Sequence, residues 1–399
     1  MLFSKIFGKI GALGQFVEFC RNPTTILSRN LRMLCQRRNT MESQTNVTGM
    51  LDLILRPAFS VKNGLIDYAN YPAQCCFFTQ GTPIADLLTT GAEEYDALEE
   101  GCLYLTLSLA EHRFSASVTP MGDYRIFTLE ADEAQPSLQS MALAARELRE
   151  PLSNIMLSAD RLFKTLDVTE DAASRQQAQQ MNRSLYQMLR LISNMSDAAR
   201  YTTESTGSQQ LQDITAVLYE IFEKAAALLS HSGITLHYTG PQEAIYTLTN
   251  TEKLERAVYN ILSNAAKFSP AGSTITAKLT RRGSKLYLTI CDNGSGIPSH
   301  LRTNVFSRYL RQPSLEDGLQ GMGLGMVMIR SAAAAHGGTV LLEQAENMGT
   351  RITVTLAIRQ SQDGSFRSPT LRIDYAGERD HGLLELADCL PPALYDIWE

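Results

Sequence analysis

The sequence predicts a multidomain α+β protein, and three observations carry that expectation. The chain has 399 residues, more than one hydrophobic core usually holds. Residues 134–205 repeat apolar side chains every three or four positions, the spacing of long helices, whereas residues 210–360 alternate helical and strand-like runs. Residues 46–132 show a third pattern, a short helix and then strand-length runs parted by turn residues.

Composition removes several classes of function. Apolar residues make up 44% and charged residues 20%, as in an ordinary globular protein. A net charge of −6 argues against holding nucleic acid by bulk charge. The seven cysteines lack metal-ligand spacing, and Cys75 and Cys76 are adjacent rather than a CxxC pair, so reduced thiols and a cytoplasmic setting are expected. No apolar run reaches the roughly 18–20 residues that span a bilayer.

Residues 1–45 read as a basic N-terminal arm. Within residues 1–40, Lys5, Lys9, Arg21, Arg29, Arg32, Arg37 and Arg38 face a single acid, Glu18, and apolar residues from Phe3 to Cys20 fall at helical spacing. An amphipathic helix on an anionic membrane surface through residues 1–20 fits this pattern, and so does a disordered or partner-packed arm. The charge pattern changes at Met41, leaving Met1 and Met41 both open as the start.

In residues 46–132, Met50–Ala58 has helical periodicity. A turn at Lys62-Asn63-Gly64 parts two short strands, and Leu103–Leu109, Arg113–Thr119 and Tyr124–Leu129 are three more strand candidates.

Residues 134–205 form two helices. Met141, Ala145, Leu148, Leu152, Ile155, Ala159, Leu162 and Leu166 line the first, and Ala178, Met181, Leu185, Met188, Ile192, Met195 and Ala199 the second. Each is a heptad seam. One antiparallel hairpin buries a narrow seam poorly and two hairpins bury it well, so a four-helix bundle in a homodimer is expected.

Residues 210–360 are expected to place helices at Ile214–Leu229, Thr251–Phe268 and Met322–His336. Strands are expected at Thr235–Tyr238, Ala244–Leu248, Thr274–Thr280, Lys285–Cys291, Thr339–Glu343 and Arg351–Ile358. Residues 361–399 are an extension whose apolar end can fold back onto the body.

Four elements within 210–360 carry chemistry. Asn260, Asn264 and Lys267 share one face of a helix. Asparagine oxygens are hard ligands suited to Mg²⁺, and a lysine ammonium suits phosphate, although such a face is also what a solvated helix shows. Asp292-Asn293-Gly294-Ser295-Gly296 follows a strand, where an Asp can accept from an amino group and glycines permit positive φ. Phe306, Arg308 and a polar stretch at Gln312–Gln320 come next, reading as a flap. Gly321, Gly323 and Gly325 then open a helix, whose first N–H groups favour an anionic phosphate. No Gly-Lys-Ser/Thr follows, so this is not a Walker loop, and no strand immediately precedes it as in a dinucleotide fingerprint.

The ordered set resembles the N, G1, F and G2 boxes of sensor histidine kinases and their GHKL relatives, and His336-Gly337-Gly338 and Gly349-Thr350 fit the end of that domain. The resemblance implies a Bergerat-fold α/β sandwich that binds ATP and Mg²⁺. By it, Asn264 ligates Mg²⁺, Asn260 supports that site and Lys267 contacts phosphate. Asp292 reads the adenine amino group, Gly294 and Gly296 shape its pocket, Phe306 and Arg308 belong to the flap, and Gly321, Gly323 and Gly325 border the triphosphate. Asn250 departs from the acid common before the N-box helix.

Residues 46–132 resemble a PAS sensor domain, with Asn70 in its opening hairpin, and residues 134–205 resemble the family's dimerisation hairpin. Glu147-Leu148-Arg149-Glu150-Pro151-Leu152 is similar to its H box, but Arg146 stands at the phosphoacceptor position. A guanidinium stays protonated and has no lone pair with which to attack phosphorus. No histidine occurs in 134–205, and Glu147 is the remaining candidate catalytic group. The resemblance therefore implies a degenerate two-component kinase that binds ATP and signals through conformation, with a response regulator or an active histidine kinase as partner. Two alternatives stay open: an active kinase with a non-standard acceptor, and another GHKL ATPase or serine kinase.

Overall fold

The computed structural model describes residues 47–109, 112–129, 135–165, 172–203, 209–298, 324–345, 349–359 and 380–396. Phe306, Arg308, Gly321 and Gly323 lie outside them, as does the whole N-terminal arm. The chain divides into two compact units, Met1–Glu99 with Thr106–Ala134, and Glu100–Leu105 with Gln135–Glu399.

In the first unit, helix α1 (Val47–Leu53) precedes the hairpin β1 (Ala58–Lys62) and β2 (Leu65–Ala69). Asn63 and Gly64 both have positive φ, 52° and 77°, the conformation a tight two-residue hairpin turn requires. The helical periodicity expected over Met50–Ala58 ends earlier, because Ala58 already pairs in the sheet. Short helices α2 (Tyr71–Cys75) and α3 (Ala92–Asp96) follow, then β3 (Cys102–Leu109), of which Thr106–Leu109 belongs to this unit, β4 (His112–Met121) and β5 (Tyr124–Leu129). The strand order is β2-β1-β5-β4-β3. Phe59 stacks between Phe78 and Phe127, with centroids 5.0 and 4.7 Å away, and all three rings are buried.

Asn70 knots this unit. Its Nδ2 donates to the carbonyls of Leu51, Ile54 and Arg56, while its Oδ1 accepts from the Ala58 and Ala73 N–H groups. One buried amide thus satisfies the end of α1, the start of β1 and the cap of α2.

The second unit begins with α4 (Gln135–Thr165) and α5 (Ala172–Thr203), which pack as a hairpin. Helix α4 runs through Pro151. Each seam splits by sevens. Ala145, Leu152 and Ala159 are buried, as are Ala178, Leu185 and Ile192; Leu148, Ile155 and Leu162 are about half exposed at 49, 50 and 52%, and Met181 and Met188 are exposed too. One hairpin therefore covers one set of each seam and leaves Leu148, Ile155, Leu162, Met181 and Met188 open, whereas Met141 and Met195 pack against Leu324.

Beyond it come β6 (Gln210–Asp213), α6 (Ile214–Ser230), β7 (Thr235–Thr239), β8 (Tyr246–Thr249), α7 (Thr251–Phe268), β9 (Thr274–Arg282) and β10 (Lys285–Cys291). Then follow α8 (Gly325–Ala335), β11 (Val340–Gln344), β12 (Thr350–Ala357) and α9 (His381–Glu385). Strands run in the order β11-β12-β10-β9-β7, antiparallel except for the parallel pair β7–β9. Residues of α6, α7 and α8 share one buried cluster with this sheet, giving a two-layer sandwich. The strand expected over Ala244–Leu248 is Tyr246–Thr249, paired with β6 in a separate two-stranded sheet. Among the described residues no helix is long and apolar enough to cross a membrane.

Candidate nucleotide site

Helix α7 organises the site. Asn250 caps it, its side chain accepting from the Lys253 N–H at 3.0 Å. This is the N-cap chemistry an Asp would also supply, so the departure noted in the sequence keeps the helix start satisfied. The Asn250 N–H donates to His336 Nε2 at 3.1 Å, and His336 Nδ1 lies 2.7 Å from the Ala332 carbonyl. That pairing places the ring proton on Nδ1. Burial, above all, pushes the His336 pKa down to about 4, so the ring is neutral at ordinary pH. His336 is a structural strut between α7 and α8.

The polar face of α7 is buried over its middle. Arg256, Asn260 and Ser263 are buried along with Leu254, Val258, Ile261 and Leu262. Asn260 is fixed on both ends: its Nδ2 donates to the Arg256 carbonyl at 2.8 Å, and its Oδ1 accepts from Arg190 Nη2 of α5 at 3.5 Å. A Cβ at Gly325 would stand 3.0 Å from Asn260 Oδ1, so the missing side chain lets the N-terminus of α8 lie beside that amide. Asn264 and Lys267, one and two turns further on, are half-buried.

The turn after β10 meets the far end of the same helix. A Cβ at Gly294 would come within 2.6 Å of the Phe268 carbonyl, and Gly296 has φ 69°. Asp292 is buried, and its Oδ1 accepts from the Gly294 N–H at 2.9 Å and from the Thr350 N–H at 3.0 Å. Its Oδ2 accepts no hydrogen bond among the described residues. A carboxylate held by one oxygen and open at the other can receive an N–H donor.

Asn260, Gly325, Phe268, Gly294 and Asp292 therefore line one end of the sandwich around α7. Thr350 and Gly349 join them, and their role was not read from the sequence: a Cβ at Gly349 would collide with the Asp292 carbonyl, so this glycine lets β12 start against the turn. Arg190 was not foreseen, because its position within a polar helix stripe gives no local sign of its target. Arg146 and Glu147 lie apart from this set as exposed residues of α4.

Residues 249–360 match the family model for the histidine kinase-, DNA gyrase B- and HSP90-like ATPase. The histidine kinase P4 of Formosa agariphila is 26% identical over 239 residues, covering 56% of this chain and 17% of that protein. The adaptive-response sensory kinase SasA of Synechocystis sp. is 26% identical over 257 residues, covering 61% of this chain and 67% of that one. Among solved structures, full-length ShkA in complex with AMPPNP aligns with a TM-score of 0.47 and 20% identity, over 56% of this chain and 46% of that one. This chain spans about a sixth of the length of one of these curated relatives and about two thirds of the other.

Proposed function

We propose, from the premise that this chain belongs to the sensor histidine kinase family, that it is an ATP-binding two-component signalling protein without the usual phosphoacceptor. The observation that carries this reading is the meeting of Asn260, Gly325, Gly294 and Asp292 around one helix. Asn264 would hold Mg²⁺ and Asn260 would support it, both through hard amide oxygens; Mg²⁺ would neutralise phosphate charge. Lys267 would meet a phosphate. Asp292 Oδ2 would take the adenine amino group, with Oδ1 already anchored to two backbone N–H groups. Gly321, Gly323, Phe306 and Arg308 would complete the phosphate border and flap.

The acceptor position is where the reading departs from an active kinase. Arg146 is exposed on α4, and its guanidinium offers no lone pair to phosphorus. Glu147 beside it is exposed as well. Nucleotide binding would act through packing of the hairpin and through a partner, either a response regulator or an active kinase. The half-open seams support a homodimer, since a second hairpin would cover Leu148, Ile155 and Met188. The element order of the first unit and the Asn70 knot support a PAS-like sensor. The reading places the protein in the cytoplasm.

Calorimetry with ATP, with and without Mg²⁺, tests the site. The native chain should bind Mg-ATP, and Asn264→Ala should lose at least tenfold in affinity, about 1.4 kcal/mol. Full affinity in that variant would remove the assigned metal ligand. Acid-labile label on this chain after incubation with γ-labelled ATP would overturn its degenerate character.

A further inference from the structure

Residues 380–396 split their apolar side chains between two cores. Leu384 is fully buried in the hairpin cluster with Leu152, Leu185 and Leu189. Leu386, Ala387, Leu390 and Tyr395 are buried in the cluster of the sandwich. Between them, Glu385 is 1% exposed and bridges two guanidinium groups: Oε2 lies 3.3 Å from Arg190 Nε on the hairpin, and Oε1 lies 3.1 Å from Arg256 Nε on the sandwich. Asp388 adds a 2.6 Å ion pair to Arg190. Arg256 also pairs with Asp197 of α5 and donates to Asn194 at 3.0 Å.

Further bonds run to both sides. Arg183 and Gln187 of α5 donate to the Ala387 carbonyl at 3.0 and 3.2 Å, while Ser232, after α6, donates to the Cys389 carbonyl at 2.8 Å. Two like charges brought together in a buried place repel unless an anion lies between them. Removing Glu385 would leave Arg190 and Arg256 facing each other with less countercharge, and removing the segment would also uncover both apolar surfaces. The same contact reaches the nucleotide site, since Arg190 touches Asn260 and Leu324, next to Gly325, is buried against Met141 and Met195 of the hairpin.

We propose that Asp380–Asp396 is an intramolecular clasp that fastens the sandwich domain to helix α5 and that its release frees the domain to move. This differs from the ATP reading in resting on packing and charge alone.

The test is a distance measurement by electron spin resonance on the full chain, diluted with unlabelled protein. Unnatural-residue spin labels replace Gln177 on α5 and Glu223 on α6, both exposed. The native chain should give one narrow distribution. Glu385→Lys, which places a third cation between the two arginines, should at least double its width, as should a chain ended at residue 379. Broadening in either variant supports the clasp; an unchanged width in both overturns it. Nucleotide titration of the same samples keeps the two readings apart: broadening without ATP binding would retire the ATP site and leave the clasp.

Discussion

The hairpin and helix α7 handle their polar and apolar residues in opposite ways. In α4 and α5 the middle of each apolar seam has open members, with Ile155 at 50% exposure. In α7 even charged side chains are covered, Arg256 at 1% and Lys253 at 3%. An apolar residue left open marks a surface that expects another apolar surface. A charged residue that is covered marks a place where geometry has already been settled by paired hydrogen bonds. The first region keeps apolar surface open, as the proposed dimer requires; the second is settled within the chain.

The contrast can be broken most forcefully inside the hairpin. Leu152→Ala should cost about 3 kcal/mol, because this buried leucine leaves a cavity. Urea unfolding read by circular dichroism would show it, and a loss below 1 kcal/mol would mean that the inner half of the seam is not packed as described.

A pH test sharpens the view of α7 as a settled region. His336 has its pKa lowered to about 4 from an unfolded value near 6.5. The unfolded chain therefore binds more protons than the folded one between these values, and stability must fall as pH drops from about 6.5 toward 4. The full effect is of the order of 3 kcal/mol. His336→Gln should lower stability at pH 7.5 and flatten the decline between pH 6.5 and 4.5. An equal slope in both proteins would assign the decline to other groups.

The smallest expected change in stability has the clearest change in assembly. Ile155→Ser, on the open half of the seam, should alter monomer stability by no more than about 0.5 kcal/mol. Sedimentation should nevertheless show a shift from dimer toward monomer. A native chain that sediments as a monomer at all concentrations would defeat the four-helix reading.

Local order was largely legible in the sequence. The capped, periodic stretch Thr251–Phe268 reads as the helix it forms, and Lys285–Cys291 as its strand. The heptad steps locate both hairpin helices, but a seven-residue repeat cannot say which alternate half a hairpin covers by itself. That depends on how two helices rotate against each other. The candidate site was legible in Gly294 and Gly325, where a close approach leaves no room for a side chain. It was illegible where partners are distant in the chain. Asp292 and Thr350 are 58 residues apart, and Arg190 and Glu385 are 195 apart. On α5, Gln179, Arg183 and Arg190 fall at helical spacing, which sequence alone reads as a wet face; in the fold they bond to residues 387–396 and to Glu385, and Arg190 is buried.

The double anchoring of Asp292 has a thermodynamic corollary. Because one backbone donor from the turn after β10 and one from the start of β12 lock one oxygen, the carboxylate plane is set before any guest arrives, and little side-chain freedom remains to be lost on association. Discrimination for an amino-bearing base over a keto-bearing one would then come from a rigid acceptor that cannot rotate away from a wrong partner, which leaves two acceptors facing one another.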